Sequence, residues 1–339
     1  TYGKTRYFNP GYQETRDFVA GVVGEIVRNY DIQAIHMDDY FYPYKIVGEE
    51  FPDDKAFATE PRQFKDKEDW RRDNVDLIIK QIRDTIIANK PEVEFGISPF
   101  GVWRNKSKDS EGSNTVAGAT NYDDLYANIL KWQKENCIDY VTPQLYWHIG
   151  FDRADFEVLA KWWAAHKYGA NVYIGLGDYK ISKTAKEIEW RSTDQIVKQL
   201  EMIRSMPLID GSMHFTANVF EKLGDSFRKP LLEKQYKYIA LTPESNRITR
   251  IKPQPPMETS VLKKENKMVL SWKPGKDNKK YVIYRFSNGK ITDFSNPENI
   301  YYVTTATNLE VPNADFQNYI YAVSALSTTQ TESYPVQFN

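Results

Sequence analysis

Two adjacent carboxylates, Asp38 and Asp39, close the short apolar run Gln33-Ala-Ile-His-Met-Asp38 and open an aromatic loop, Asp39-Tyr-Phe-Tyr-Pro43. The run reads as a β-strand, and alternation along it sends His36 and Asp38 to the same side. Cleaving a glycosidic bond takes two carboxyl groups, one to protonate the leaving oxygen and one to act as nucleophile or base. Neighbouring carboxylates push each other's pKa values apart, which helps to separate those roles. The plain alternative is that one Asp caps a turn while the other is solvated. The strand-end position beside Tyr40 and Tyr42 favours chemistry, since aromatic faces stack on the apolar faces of sugar rings. Metal catalysis is the rival for this spot. The four histidines, His36, His148, His166 and His214, form no His-x-His or His-x-x-x-His pair, so no metal or other cofactor is expected.

Other candidates lie where further apolar runs end. Thr142-Pro-Gln-Leu-Tyr-Trp-His148 sends out an amide, a phenol, an indole and an imidazole. Gln144, Tyr146, Trp147 and His148 suit sugar hydroxyls and ring stacking, although Tyr146 and Trp147 could simply close the top of a core. After the run 93–98 come Trp103 and Arg104; the arginine could equally pair with a loop carboxylate. Asn9, in Phe8-Asn-Pro-Gly11, is a candidate ligand residue or no more than a turn cap. Trp132, Trp162 and Trp163 fall on helical faces and need no function beyond packing.

To hold such residues together the chain must build parallel strands. Residues 13–30 place Phe18, Val22, Val23, Ile26 and Val27 on one helical face, and strand 33–38 follows. Helix 69–89 precedes strand 93–98, helix 122–136 precedes strand 139–146, and helix 153–168 precedes strand 171–176. Helix 193–206, with Ser192-Thr193-Asp194 as its cap, precedes strand 211–215, and a last helical stretch lies between 227 and 239. This alternation predicts a parallel sheet with helices outside. The long loops all follow strands, as in a (β/α) barrel or a doubly wound sheet; no Gly-rich phosphate turn follows any strand, which disfavours a nucleotide site. Near residue 241 the composition changes. Residues 242–256 carry four prolines and read as a linker, and 257–339 read as short alternating strands of a small β-sandwich. The expected domains are therefore a barrel over 1–241, the linker 242–256, and the sandwich 257–339.

The totals are compatible with this. Of 339 residues, 27% are charged with a net charge of −1, the two signs interspersed, which argues against nucleic acid as a partner. Aromatic residues make up 14%, which favours a carbohydrate. The single cysteine, Cys137, can form no internal disulfide. No apolar run reaches the ~20 residues of a membrane span. The chain starts at Thr1, so the absence of a visible export signal decides nothing.

The motifs Phe8-Asn-Pro-Gly11, Arg28-Asn-Tyr-Asp-Ile-Gln-Ala-Ile-His-Met-Asp-Asp-Tyr-Phe-Tyr-Pro43, Asp69-Trp-Arg-Arg-Asp-Asn74, Phe95-Gly-Ile-Ser-Pro-Phe-Gly101, Asn121-Tyr-Asp-Asp-Leu-Tyr126 and Ile138-Asp-Tyr-Val-Thr-Pro-Gln-Leu-Tyr-Trp147 together resemble the glycosyl-hydrolase-like 10 family (formerly DUF187). The resemblance covers about residues 8–240, and the Asp-Asp-Tyr-Phe-Tyr-Pro run is its most specific part. It implies a (β/α)8-type barrel related to the α-amylase clan, with only the later strands in this chain and the first three outside it. It also implies an exported bacterial protein (periplasmic, secreted or a cell-surface lipoprotein) that cleaves glycans, notably peptidoglycan strands stripped of their peptides. By the clan's pattern Asp38 takes the nucleophile position and His36 the basic one two residues before it. Asp39, Gln144 and Tyr146 fall on family-typical positions. The clan's general acid ends the next strand, where this chain has Ile97-Ser-Pro99, so the acid is unplaced among Asp39, His148 and residues outside the chain. A weaker resemblance to a fibronectin type III module covers 257–339.

The expected function is thus glycoside hydrolysis of bacterial glycans, with an oligo- or polysaccharide as partner, Asp38 and Asp39 catalytic, and Asn9, His36, Tyr40, Tyr42, Trp103, Arg104, Gln144, Tyr146, Trp147 and His148 binding substrate. The competing reading is a non-catalytic carbohydrate-binding protein with an aromatic-lined cleft; a scaffold role, with the sandwich binding another protein, is the third.

Overall fold

The computed structural model describes residues 1–339 except Tyr40, Asn288, Gly289, Thr292 and Asn339. The chain forms two units. The first comprises residues 1–235 with 245–247, the second residues 236–244 with 248–339.

In the first unit, strands β1 (Ala34–Met37), β2 (Glu94–Ile97), β3 (Tyr140–Val141), β4 (Gln144–Leu145), β5 (Asn171–Leu176) and β6 (Gly211–His214) are all parallel. β3 and β4 are one strand path in two pieces. The missing N–H of Pro143 interrupts the ladder, yet Thr142 N–H reaches Ile97 O at 2.7 Å and Gln144 N–H reaches Pro99 O at 2.9 Å. β1 pairs with β2, β2 with β3, the β3–β4 path with β5, and β5 with β6. Every strand therefore lies beside its chain neighbour. The order never reverses, as it would in a doubly wound sheet.

Helices α1 (Gln13–Asn29), α2 (Asp54–Thr59), α3 (Lys67–Asn89), α4 (Asn121–Asp124), α5 (Ile129–Lys134), α6 (Phe156–Ala165), α7 (Asp194–Arg204), α8 (Asn218–Lys222) and α9 (Asp225–Lys234) connect and flank these strands. α3 starts where the Asp66 carboxylate accepts the Glu68 and Asp69 N–H groups at 2.8 and 2.9 Å, an N-cap. α1 packs on α3 through Ala20, Val23, Gly24 and Val27. A Cβ at Gly24 would meet Thr85 Cγ2 at 3.0 Å, so glycine sets how closely the helices approach. The rest of the apolar face expected for this helix is not covered: Phe18, Val22 and Ile26 are exposed, with Phe8 resting on Phe18.

Three other expectations change. Helix 122–136 is two short helices, because Tyr126 adopts a φ of 57°. Its ring packs against Tyr42 and its hydroxyl accepts from Arg71 at 2.9 Å, while Asn128 caps the second helix. The expected cap of α7 comes from Ser192, whose hydroxyl accepts the Asp194 N–H at 3.2 Å, and not from the Thr193 side chain. Residues 242–256 hold no helix or strand, but they are not a free linker. The carboxylate of Asp139, fully buried at the foot of β3, takes hydrogen bonds from Phe95 N–H (2.7 Å), Arg83 (3.3 Å), Ser245 Oγ (2.9 Å) and Arg247. A buried charge needs several donors, and two of these come from 245–247.

The second unit has two antiparallel sheets. β10 (Ile300–Thr304), β9 (Lys280–Ser287), β12 (Tyr319–Leu326) and β13 (Val336–Gln337) form one, and β11 (Asn308–Pro312), β8 (Lys267–Lys273) and β7 (Met257–Lys264) form the other; α10 (Asn313–Asn318) links β11 to β12. Leu270 and Trp272 of β8 share a core with Ile283 of β9 and Tyr321 and Val323 of β12. The two sheets thus face each other as a sandwich.

Candidate active site

Parallel strands leave all their C-terminal ends on one edge, and the site is built there. Asp38 follows β1 and is exposed. Its Oδ1 accepts the Gln144 side-chain amide at 2.7 Å and the Asp39 backbone N–H at 2.8 Å. The same Gln144 nitrogen donates to Ser98 O at 2.9 Å, so three strand ends are tied through one amide. Both bonds to Asp38 fall on Oδ1, leaving Oδ2 without a protein partner among the described residues. An oriented carboxylate with one oxygen open is what nucleophilic attack on a sugar carbon requires.

Asp39 is of the opposite kind. It is 4% exposed, and its Oδ2 accepts the Tyr44 hydroxyl. Burial raises its pKa, Tyr44 opposes that rise, and the neighbouring Asp38 charge adds to it. His36 stacks on Tyr140, its Nδ1 3.2 Å from the phenol oxygen. Solvent reaches the ring at the sheet edge. Even so, the protein packed against it lowers its pKa, with Asp38 pulling the other way. A Cβ at Gly96 would meet the Tyr140 ring at 1.9 Å, so glycine is required for that ring to cross β2.

Tyr146 lies one residue beyond β4. Burial raises its pKa, helped in turn by Asp38, Tyr179, Asp39 and Asp178. Trp147 sets its ring edge to Phe100 at 5.4 Å, and His148 holds Ile149 O through Nδ1 at 2.8 Å, with Glu189 3.8 Å from its Nε2.

Four expected ligand residues are placed otherwise. Tyr42 is 1% exposed; its hydroxyl accepts from Asn74 at 3.1 Å and its ring packs on Phe51 and Tyr126, so it is core. Trp103 is 4% exposed and stacks on Trp162. Arg104 is held by Asp123 at 2.7–3.1 Å and by Asp109 at 3.0 Å, the loop pairing that was the plainer option. The Asn9 side chain accepts the Gly11 N–H at 2.9 Å, closing a turn. Tyr40 lies outside the described residues.

The structure adds residues that sequence reasoning missed. Tyr44 reaches back to Asp39. Asp178, two residues beyond β5, is fully buried, with Oδ2 2.7 Å from His214 Nδ1 and Oδ1 buried without a partner. Burial raises its pKa and His214 opposes the rise. Tyr179 and Phe215 stand beside Tyr146. The available signal was position: Asp178 follows β5 much as Asp38 follows β1, and His214 ends β6.

A model of the family "Glycosyl hydrolase-like 10" matches residues 1–192, more than half of the chain. The chain belongs to that family. The match contains Asp38, Asp39, Tyr44, Gln144, Tyr146 and Asp178, whereas His214 and Phe215 lie beyond it. Among curated relatives, "Glycosyl hydrolase YngK" of Bacillus subtilis is 43% identical over 298 residues, covering 85% of this chain and 58% of the relative. "Glycosyl hydrolase DigH" of Escherichia coli K12 is 36% identical over 228 residues, covering 66% and 52%. The chain spans little more than half the length of these glycosyl hydrolase relatives. Among solved structures, chitinase ChiW of Paenibacillus sp. aligns over 97% of this chain and 34% of its own, at 12% identity and a TM-score of 0.42. The fold therefore rests on the strand order described above.

Proposed function

We propose that this protein hydrolyses glycosidic bonds in bacterial glycans, with peptide-free peptidoglycan strands as its substrate class. The observation that carries this is Asp38, whose Oδ1 is held by Gln144 and the Asp39 N–H while Oδ2 is open on the strand-end edge. In this reading Asp38 attacks the anomeric carbon as the leaving oxygen takes a proton from a second acid. Water then cleaves the glycosyl ester, freeing the sugar and restoring the carboxylate. Asp39 sets the nucleophile through its backbone N–H, and its buried carboxyl anchors Tyr44. The unreversed strand order supports assigning the sheet to the later part of a (β/α)8 barrel. Its remaining strands are assigned to the portion of the relatives that this chain does not cover. The family resemblance supports export from the cytoplasm, and the sandwich is assigned as a fibronectin type III-like spacer.

The test is release of new reducing ends from peptide-free glycan strands and common polysaccharides by the full-length protein and its Asp38→Asn variant. Turnover is expected to fall by at least about 1,000-fold with the melting temperature kept. Equal activity in the variant refutes the assignment. Glycan binding without product release by either protein would select the binding-protein reading instead.

A further inference from the structure

Three aromatic rings from three strand ends meet on the same edge as Asp38. Tyr146 and Phe215 are stacked, with centroids 5.7 Å apart and planes at 21°. Tyr179 stands perpendicular to both, at 5.6 Å from Tyr146 and 5.8 Å from Phe215. The Tyr179 N–H donates to Phe215 O at 3.2 Å, so the loops after β5 and β6 hold the two rings in a fixed corner. Phe215 and Tyr179 stand beside the edge strand β6 with their rings crossed at 88°. Neither the Tyr146 nor the Tyr179 hydroxyl has a hydrogen-bond partner among the described residues.

We propose that Tyr146, Tyr179 and Phe215 form a binding subsite for one pyranose ring next to Asp38, and that the ring it takes is uncharged. The assignment rests on the glycan reading above. A corner of two perpendicular faces lets a sugar stack on one ring and abut the other, with two phenol hydroxyls within reach of its own. The nearest charges oppose an anionic sugar. The Asp38 carboxylate is bonded by Gln144, two residues before Tyr146 on the same strand path, while the neighbouring Lys180 places its ammonium over the Trp190 ring at 5.5 Å. In a strand that alternates neutral and acid-bearing sugars, this subsite selects the neutral one and so sets which linkage lies at Asp38.

The experiment is calorimetric titration of the full-length protein with Asp38 intact, at low temperature and short contact times to limit turnover, because Asp38→Asn would remove the charge that the uncharged assignment rests on. The probes are the tetramer of N-acetylglucosamine, cellotetraose, peptide-free wall glycan strands and, as the anionic probe, tetragalacturonate. Neutral probes should bind more tightly than the anionic one. Phe215→Ala, Tyr179→Ala and Phe215→Leu should each weaken neutral binding by roughly 2- to 10-fold. The leucine variant keeps an apolar side chain in place without the flat ring, and melting curves verify that each variant is folded. Unchanged affinity in all three folded variants overturns the subsite. Binding of tetragalacturonate as tight as that of the neutral tetramers overturns the uncharged assignment. A parent that binds none of the four probes overturns the glycan reading itself, and the subsite with it.

Discussion

Gln144 gives the most direct test of the proposal that Asp38 is a nucleophile held in place for attack. Its side-chain nitrogen donates to Asp38 Oδ1 at 2.7 Å and to Ser98 O at 2.9 Å. Gln144→Leu keeps the approximate volume and removes both bonds. A hydrogen bond to a charged group contributes about 1.5–3 kcal/mol. Asp38 would retain only the Asp39 N–H, at 2.8 Å. If the amide acts by fixing the attacking geometry, its loss falls on the transition state and lowers kcat by about 10- to 100-fold, with KM little changed. The bond to the Ser98 carbonyl is neutral and contributes about 1 kcal/mol to stability, so a modest fall in melting temperature should accompany the kinetic effect. The assay is initial-rate kinetics of reducing-end release at several substrate concentrations, beside thermal melts. A folded Gln144→Leu protein whose kcat lies within threefold of wild type would refute the claim that this amide sets Asp38. A rise in KM alone would show that Gln144 contacts the sugar instead.

Two further predictions concern stability. Burial raises the Glu94 pKa from 4.5 to about 6. Because the folded pKa lies above the unfolded one, stability is lost as pH rises from about 4.5 through 6, and the cost persists above that. Glu94→Gln should therefore stabilise the chain by at most about 2 kcal/mol at pH 7–8 and by nothing below pH 4.5; urea titrations at pH 4 and pH 8 check this, and a gain independent of pH would refute it. Asp139→Ala strands the Arg83 and Arg247 guanidinium groups and the buried Phe95 N–H, and should cost about 3–5 kcal/mol. Urea unfolding followed by tryptophan fluorescence reads this directly, since seven of the eight tryptophans lie in the first unit; a loss below 1 kcal/mol would show that the cluster is dispensable.

What was legible in the sequence was whatever depends on near neighbours. The alternation of apolar helical faces with short apolar runs emerges as parallel strands joined by helices, because periodicity is a local record of burial. Asp38 and Gln144 could be singled out because Asp38 closes one such run and Gln144 lies near the end of another. The expectations that the structure places otherwise share a different cause. Tyr42, Trp103 and Arg104 have side chains suited to sugars, but their environment is set by residues far along the chain: Asn74 and Phe51, Trp162, and Asp123. An aromatic loop residue is apolar before it is a ligand, and a long loop needs a small core of its own. Asp178 was missed for the converse reason. Its partner His214 is 36 residues away, and nothing local marks the pair.

The burial of Tyr42 belongs to a network that makes the strand-end edge carrying Asp38 rigid. The long segment between β1 and α3, which carries the short helix α2, would cost much conformational entropy to order by itself. Arg71 of α3 fixes it by gripping both oxygens of the fully buried Asp53, at 2.8 and 2.7 Å, and donating to Tyr126 OH at 2.9 Å. Asn74, one turn further on, holds Tyr42. Tyr42 and Asp53 thus pin the loop on either side of Tyr44, whose hydroxyl bonds the Asp39 carboxyl; the Asp39 backbone in turn bonds Asp38. The polar groups of this loop therefore divide by burial. The sealed groups Tyr42 and Asp53, satisfied by α3, and Asp39, satisfied by Tyr44, carry the order, while the exposed Asp38 at the end of the relay keeps Oδ2 without a protein partner among the described residues. A substitution at Arg71 should consequently reach Asp38 through Tyr44 and Asp39 without touching the sugar. That sets it apart from Gln144, which acts on the same carboxylate from the opposite side.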